Sequence, residues 1–139
     1  MKRLSKGIIL ALFSLVVLSG CERDPATLLS DGIWKFSNLT TTSTDEDHVS
    51  LVALFKAFMT DATLEFNADG TYILSSPLAD DPSTGTWELI GDDQLILNPD
   101  DEAVSTANIE TLSKDELVFI ETYYDMDQDP YSVTTSWKR

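Results

Sequence analysis

The sequence predicts an all-β fold in which eight short antiparallel strands close into a barrel, with one amphipathic helix between the first two strands. Three observations carry this prediction. Segments of alternating apolar and polar residues recur throughout residues 32–139, and turn residues separate them. Nearly all the connections are too short for the crossovers that parallel strands need. Eight strands in an open sheet would leave two unpaired edges, and closure into a barrel removes both.

Each predicted strand is bounded by a turn signal. Trp34, Phe36 and Asn38 alternate onto one face of the first strand. The turn after the second strand ends in Gly70, which suits the positive φ of a short hairpin loop. The strand segments are GIWKFSNLTTT (32–42), ATLEF (62–66), TYILSS (71–76), TGTWELI (84–90), QLILN (94–98), ANIETL (107–112), ELVFIETYY (116–124) and YSVTTSWKR (131–139).

The segment HVSLVALFKAFMTD (48–61) has helical rather than strand periodicity. Its apolar residues recur every three or four positions, and Lys56 falls outside their stripe. The stripe consists of Leu51, Leu54, Phe55, Phe58 and Met59. Most helices of this kind bury their apolar face, so we expect this one to pack on the sheet. The alternative is a lid over a cavity mouth, which would place Phe55, Phe58 and Met59 beside Phe36 and Tyr72.

The N-terminus has the features of a targeting segment. Residues 1–6 are basic, and residues 7–18 are uncharged and mostly apolar. A run of about a dozen apolar residues suits a signal peptide, whereas a membrane-spanning helix needs roughly 20. The sequence Leu18-Ser19-Gly20-Cys21 resembles the lipobox of bacterial lipoproteins. The alternatives are an ordinary secretory signal with a chance cysteine, or an N-terminal membrane anchor.

The lipobox resemblance implies cleavage before Cys21, a diacylglycerol on its sulfur, and a further acyl chain on its new amino group. Two or more acyl chains anchor a protein stably to a membrane. Cys21 is the only cysteine, so its lipidation would leave no thiol for disulfides, metal sites or nucleophilic catalysis. By resemblance to lipoprotein sorting, Glu22 after the cysteine favours the outer membrane, where aspartate would favour the inner one. We therefore expect a lipid-anchored protein of the cell envelope.

The net charge of the chain that remains after signal-peptide cleavage limits the partners it can bind. Removal of residues 1–20 leaves 119 residues, with six basic and all 24 acidic side chains, a formal charge of −18. Such a chain repels nucleic acid and anionic lipid headgroups, so we expect no nucleic-acid partner. The remaining length suits one domain with its own core. The predicted division is a cleaved signal peptide at 1–20, a lipidated tether at 21–30 and a barrel domain at 31–139.

Several motifs of the barrel region resemble a known family. Gly32-Ile33-Trp34 matches the Gly-x-Trp of lipocalins at the start of the first strand. LEFNADGTYIL, TGTWEL, LSKDELVF and a final Trp-Lys-Arg, in this order, resemble the lipocalin-like domains of small bacterial lipoproteins. The resemblance spans most of residues 29–139. It implies an up-and-down β-barrel, often with an apolar ligand pocket, and a basic residue near the C-terminus, Lys138 or Arg139, that packs over Trp34. Trp34 can plug one end of such a barrel.

Motifs for catalysis or metal binding are scarce. His48 is the only histidine and stands in an acidic context, so we expect a solvated residue near the helix start. Asp125, Asp127 and Asp129 are spaced as in a calcium loop. Proline at the sixth position and serine at the twelfth exclude an EF-hand. We expect a solvated acidic hairpin loop, and the alternative is a looser calcium site. We expect no metal, no cofactor and no enzymatic activity.

Two classes of function remain. In the first, the barrel binds a small apolar or amphipathic ligand. In the second, side chains fill the barrel, and the protein acts through its surface as a non-enzymatic accessory subunit of an envelope complex. Eight-stranded barrels that are filled by side chains and eight-stranded barrels that hold one small ligand both occur. The family resemblance favours ligand binding. The candidate interior residues for the ligand are Trp34, Phe36, Phe58, Phe66, Tyr72, Trp87, Phe119 and Tyr131.

Overall fold

The computed structural model describes residues 23–139 and confirms the all-β, up-and-down barrel. Every strand pairs antiparallel with its neighbours in sequence, and the last strand pairs with the first, so the sheet is closed. The strands are β1 (Ile33–Thr41), β2 (Thr63–Phe66), β3 (Thr71–Ser75), β4 (Ser83–Ile90), β5 (Gln94–Pro99), β6 (Ser105–Leu112), β7 (Glu116–Tyr124) and β8 (Pro130–Lys138). The helices are α1 (Pro25–Ser30) and α2 (Glu46–Phe58).

The two ends of the barrel differ. At one end the strands are joined by the tight turns 67–70, 91–93 and 113–115, and α1 packs there against β2 and β6. We call this the closed end. At the other end lie α2 and the longer loops 76–82, 100–104 and 125–129. We call this the open end. No helix within residues 23–139 is long and apolar enough to cross a membrane.

A plug centred on Trp34 fills the closed end, as the sequence predicts. The Trp34 side chain is fully buried, and its indole Nε1 donates a hydrogen bond of 2.9 Å to the Leu29 carbonyl. The Arg139 guanidinium lies over the indole, 3.7 Å from the ring centroid, and donates to the Leu28 carbonyl. Arg139, rather than the exposed Lys138, is therefore the basic residue over the tryptophan. Its position combines a cation–π contact with capping of orphan helix carbonyls.

The tether predicted over residues 21–30 does not extend through residues 25–30, which form α1. Proline suits the first turn of a helix, because its missing N–H needs no partner there. A helix of six residues is marginal by itself. It is held by Leu29, whose side chain is fully buried in the core beside Trp34. This segment is therefore part of the folded domain. Cys21, the lipobox and the signal peptide lie outside the described residues.

A β-bulge in β1 corrects the face assigned to Asn38. The register with β8 shifts between Phe36 and Asn38, so Asn38 lies opposite Ser136, and Leu39 lies opposite the buried Thr135. An extra residue in one strand reverses the alternation of every side chain beyond it. Leu39, not Asn38, therefore follows Phe36 on the interior face.

Helix α2 crosses the open end instead of packing its predicted stripe on the sheet. The carboxylate of Asp45 caps its N-terminus by accepting hydrogen bonds from the backbone N–H groups of residues 47 and 48. No residue of α2 is fully buried, and Leu54 and Phe55 are 66% and 53% exposed. The residues that face the barrel are His48, Leu51, Val52, Phe55 and Met59, which line the space beneath the helix. The packing prediction is therefore wrong for Leu54 and Phe58, and the rest of the stripe faces a mouth of the barrel rather than one of its walls.

Candidate ligand-binding site

Two adjoining cavities lie at the open end. The outer cavity, of about 330 Å³, is between α2 and the interior faces of β1, β7 and β8. The inner cavity, of about 260 Å³, continues into the barrel between β2, β3, β5 and β7. Met59, Glu121, Tyr123 and Thr135 line both, so these four side chains stand where one cavity meets the other.

The outer cavity has mostly apolar walls. Its α2 side is formed by the barrel-facing stripe of that helix, and its floor and sides come from strand residues that alternate inward. The lining residues are Phe36, Leu39, His48, Leu51, Val52, Phe55, Met59, Glu121, Tyr123, Tyr131, Val133 and Thr135. Ligand pockets are typically lined in this way, with many apolar groups and a few polar ones.

Three stacked rings border the outer cavity. The imidazole of His48 stacks on Tyr131 with 4.3 Å between ring centroids, and Tyr131 stacks on Tyr123 at 5.8 Å. The Nδ1 atom of His48 is also 2.8 Å from Ser43 Oγ, which holds the imidazole in place. The prediction of a solvated His48 is therefore wrong, since tertiary contacts make it a half-buried wall of the cavity.

One carboxylate points into this apolar space. Glu121 follows Leu117 and Phe119 at intervals of two along β7, so it shares their inward direction. Its carboxylate accepts hydrogen bonds from the hydroxyls of Ser105 and Tyr123, the latter at 3.2 Å. Partial burial and the neighbouring Glu121 raise the pKa of Tyr123. The hydroxyl of Tyr123 therefore stays protonated and keeps donating to the carboxylate.

Glu121 is a site residue that was not among those predicted from the sequence, although its signal was present. The apolar–polar alternation of ELVFIETYY puts residues 117, 119, 121 and 123 on one face. A charged residue on the face that otherwise carries leucine and phenylalanine is a candidate for a polar contact inside a cavity.

Four of the eight candidate interior residues line the cavities. Phe36 and Tyr131 line the outer cavity, and Tyr72 and Phe119 line the inner one. Burial raises the pKa of Tyr72, and the carboxylates of nearby acidic residues raise it further. These four positions agree with the alternation that placed them inward.

The other four candidates lie elsewhere. Trp34 and Phe66 are buried in the filled closed-end half. Trp87 packs edge-on against Phe66 and donates from its indole to the Asn67 carbonyl at 2.9 Å, so it supports a turn at that end. Phe58 is 39% exposed and lines neither cavity.

The acidic motif at 125–129 forms a hairpin loop. The carboxylate of Asp125 accepts hydrogen bonds from the backbone N–H groups of Asp127 and Asp129 at 2.9 and 2.8 Å, which shapes the turn. Within residues 23–139, no group of three or more His, Cys, Asp or Glu side chains is placed to hold a metal ion.

The chain is similar to one family of known domains and to solved structures. A lipocalin-like domain family matches residues 31–119. Among solved structures, a deswapped triple mutant of bovine odorant-binding protein is 18% identical, with a TM-score of 0.46 over 78% of this chain and 72% of that one. A DUF4847 family protein from Bacteroides vulgatus is 14% identical, with a TM-score of 0.46 over 77% of this chain and 93% of that one. Comparison with curated proteins found no match. The family match covers more than half of the chain and agrees with the closed barrel, so this protein belongs to the lipocalin-like domain family.

Proposed function

We propose that this protein binds a small ligand with an apolar body in the two cavities at the open end of its barrel, as a non-enzymatic lipoprotein of the cell envelope. The observation that carries the proposal is the outer cavity beneath α2. Its volume of about 330 Å³ reaches the range of roughly 300–1,000 Å³ that is typical of ligand pockets. The inner cavity extends the space available to a longer ligand.

Helix α2 acts as a lid in this proposal. It presents Val52 and Met59 to the cavity, while its outward side chains remain in solvent. Burial of a ligand would also cover part of the Phe55 ring, which is half exposed. Removing this apolar surface from water would favour the bound state by about 25 cal/mol per Å².

A direct test uses the fluorescent, uncharged probe N-phenyl-1-naphthylamine and a chain that begins at Glu22. Residues 23–139 contain the whole closed sheet and its core, so this chain retains every described contact. The probe should bind saturably with one site per molecule. Val52→Asp should weaken binding at least tenfold, because it places a charge on the apolar wall. Val49→Asp is the matched control on the exposed side of the same helix and should bind as the wild type does.

The alternative function is that of an accessory subunit that acts through its surface. The observation in its favour is the outward side of α2, where Leu54 and Phe58 are exposed together. If the probe fails to bind the wild-type chain, or if Val49→Asp and Val52→Asp weaken binding equally, ligand binding in the cavity is refuted and the accessory function takes precedence.

The envelope location rests on the lipobox resemblance, and we propose that Cys21 carries the lipid and that the anchor lies in the outer membrane. Arg23 precedes α1 at the closed end, so an anchor on Cys21 would join the barrel there and leave the open end facing away from the membrane. In bacterial cells supplied with labelled palmitate, the wild-type chain should incorporate label and partition into detergent. Cys21→Ser should remain unprocessed and incorporate no label. Equal labelling of both chains would contradict the proposal.

A further inference from the structure

The carboxylate of Glu121 lacks a cationic partner in the part of the chain that the structure describes. Its hydrogen bonds come from the uncharged hydroxyls of Ser105 and Tyr123. Neither cavity is lined by a lysine or an arginine. A charge among apolar walls is costly unless it is paired, so a counter-ion in the cavity would be stabilised strongly.

His48 is the one lining residue that could carry a positive charge. It stands across the outer cavity on α2, where it is engaged by Ser43 and stacked on Tyr131. Within the described residues, the salt bridges join Arg23 to Asp31 and Lys114 to Asp115, both away from the cavity. Glu121 is therefore not the partner of a protein cation there.

The charge of the barrel is distributed unevenly between its ends. The helix and loops of the open end (residues 42–62, 76–82, 100–104 and 125–129) contain Lys56 as their one lysine or arginine. The same segments contain the acidic residues Asp45, Glu46, Asp47, Asp61, Asp80, Asp81, Asp100, Asp101, Glu102, Asp125, Asp127 and Asp129. The other basic residues of 23–139 lie at or near the closed end: Arg23, Lys35, Lys114, Lys138 and Arg139. An acidic rim around a cavity raises the local concentration of cations and repels anions.

The aromatic ring beside the carboxylate suits an organic cation. Tyr123 donates a hydrogen bond to Glu121, so its ring stands next to the carboxylate. Aromatic faces attract alkylammonium groups, most strongly where water is excluded. A hydrated metal ion would instead need several oxygen ligands, and the walls here are mostly apolar.

We propose that the ligand of this cavity is a cationic amphiphile, an amine or quaternary ammonium group on an apolar body, with Glu121 as its counter-ion. The apolar body lies against the side chains of the outer and inner cavities. The ammonium group lies where the two cavities meet, beside the carboxylate of Glu121 and the ring of Tyr123. This assignment rests on the proposed ligand-binding function and adds the charge of the ligand.

The test uses the full-length chain in a nonionic detergent at pH 8, above the ordinary pKa of histidine. Three photoreactive diazirine probes share one alkyl chain and end in an ammonium, a hydroxyl or a carboxylate group. Mass spectrometry of labelled peptides identifies the site, and saturable labelling of peptides that contain Met59 or Tyr131 reports occupancy of the cavity. The comparison is between wild type, Glu121→Gln, and Glu88→Gln, which removes an equal charge from the exposed outer face of β4.

The ammonium probe should label the wild-type cavity at the lowest concentration and the carboxylate probe at the highest. Glu121→Gln should raise the half-saturating concentration of the ammonium probe about tenfold or more, as expected when a charge-assisted hydrogen bond is lost. It should change that of the hydroxyl probe less than about twofold, which also shows that the variant is folded. Glu88→Gln should resemble wild type.

The outcomes separate the two proposals. Equal labelling by the ammonium and hydroxyl probes, preference for the carboxylate probe, or an ammonium preference that survives in Glu121→Gln would overturn the cationic assignment and leave apolar ligand binding intact. An equal loss of both probes in Glu121→Gln would also overturn it. The absence of saturable cavity labelling by any probe would refute ligand binding itself.

Discussion

Trp34→Ala is expected to lower the free energy of unfolding by about 3–5 kcal/mol, the cost of removing a large aromatic side chain from a core. The indole is fully buried and anchors three features of the closed end: the Leu29 carbonyl, the Arg139 guanidinium and the strand pair with Leu64. Its removal would leave a void beneath α1, and the Leu29 carbonyl would lose the hydrogen bond from the indole. Urea titration followed by circular dichroism measures the change.

The matched control is Ile33→Ala, one residue earlier on the opposite face of β1. Ile33 is 51% exposed, so its loss should cost less than about 1 kcal/mol. A loss for Trp34→Ala that is as small as this would mean that the indole is not buried in the plug.

Leu29→Ala is expected to cost about 2–5 kcal/mol, the range for truncating a fully buried leucine. Leu29 is the residue of α1 that reaches the core, so the substitution should also release the helix from the closed end. Native-state hydrogen exchange should then show faster exchange of the Leu28 amide, which donates 3.0 Å to the Asp24 carbonyl within α1.

Leu28→Ala provides the comparison for Leu29. The two leucines are adjacent, but Leu28 is only half-buried against the outside of β6. Its truncation should destabilise the protein clearly less. Equal effects of the two substitutions would contradict the arrangement in which Leu29 alone is inserted into the core.

Local patterns were sufficient to predict the strands, because each strand carries its own alternation and its own turn. The turn residue Gly70 has φ of 88°, as the hairpin prediction requires. Observed strand limits differ from the predicted ones by at most two residues. Closure followed from counting short antiparallel strands, and the observed pairing of β1 with β8 confirms it.

The candidate site was predicted only in part, because sequence periodicity does not say how deep a side chain lies in the barrel. Phe36 and Phe66 both face inward, but one lines a cavity and the other fills the closed end. Their difference arises from the distance of each residue from the plug. For the same reason, Glu121 was placed on a strand but not in a cavity.

The sequence by itself determined the closed antiparallel barrel, the tryptophan at its plugged end and the acidic character of the chain. The barrel and the acidic charge depend on local alternation, turn residues and composition, which do not require knowledge of distant contacts. The place of the tryptophan was implied by the resemblance of Gly32-Ile33-Trp34 to the Gly-x-Trp motif of lipocalins. Tertiary structure decided that α1 joins the core, that the bulge after Phe36 turns Leu39 inward, and that α2 spans the mouth with part of its apolar surface in solvent. The docking of α1, the bulge in β1 and the position of α2 each depend on contacts between segments that are distant in sequence. Apolar side chains are buried where two helices or strands pack against each other, and a local sequence pattern does not specify that contact.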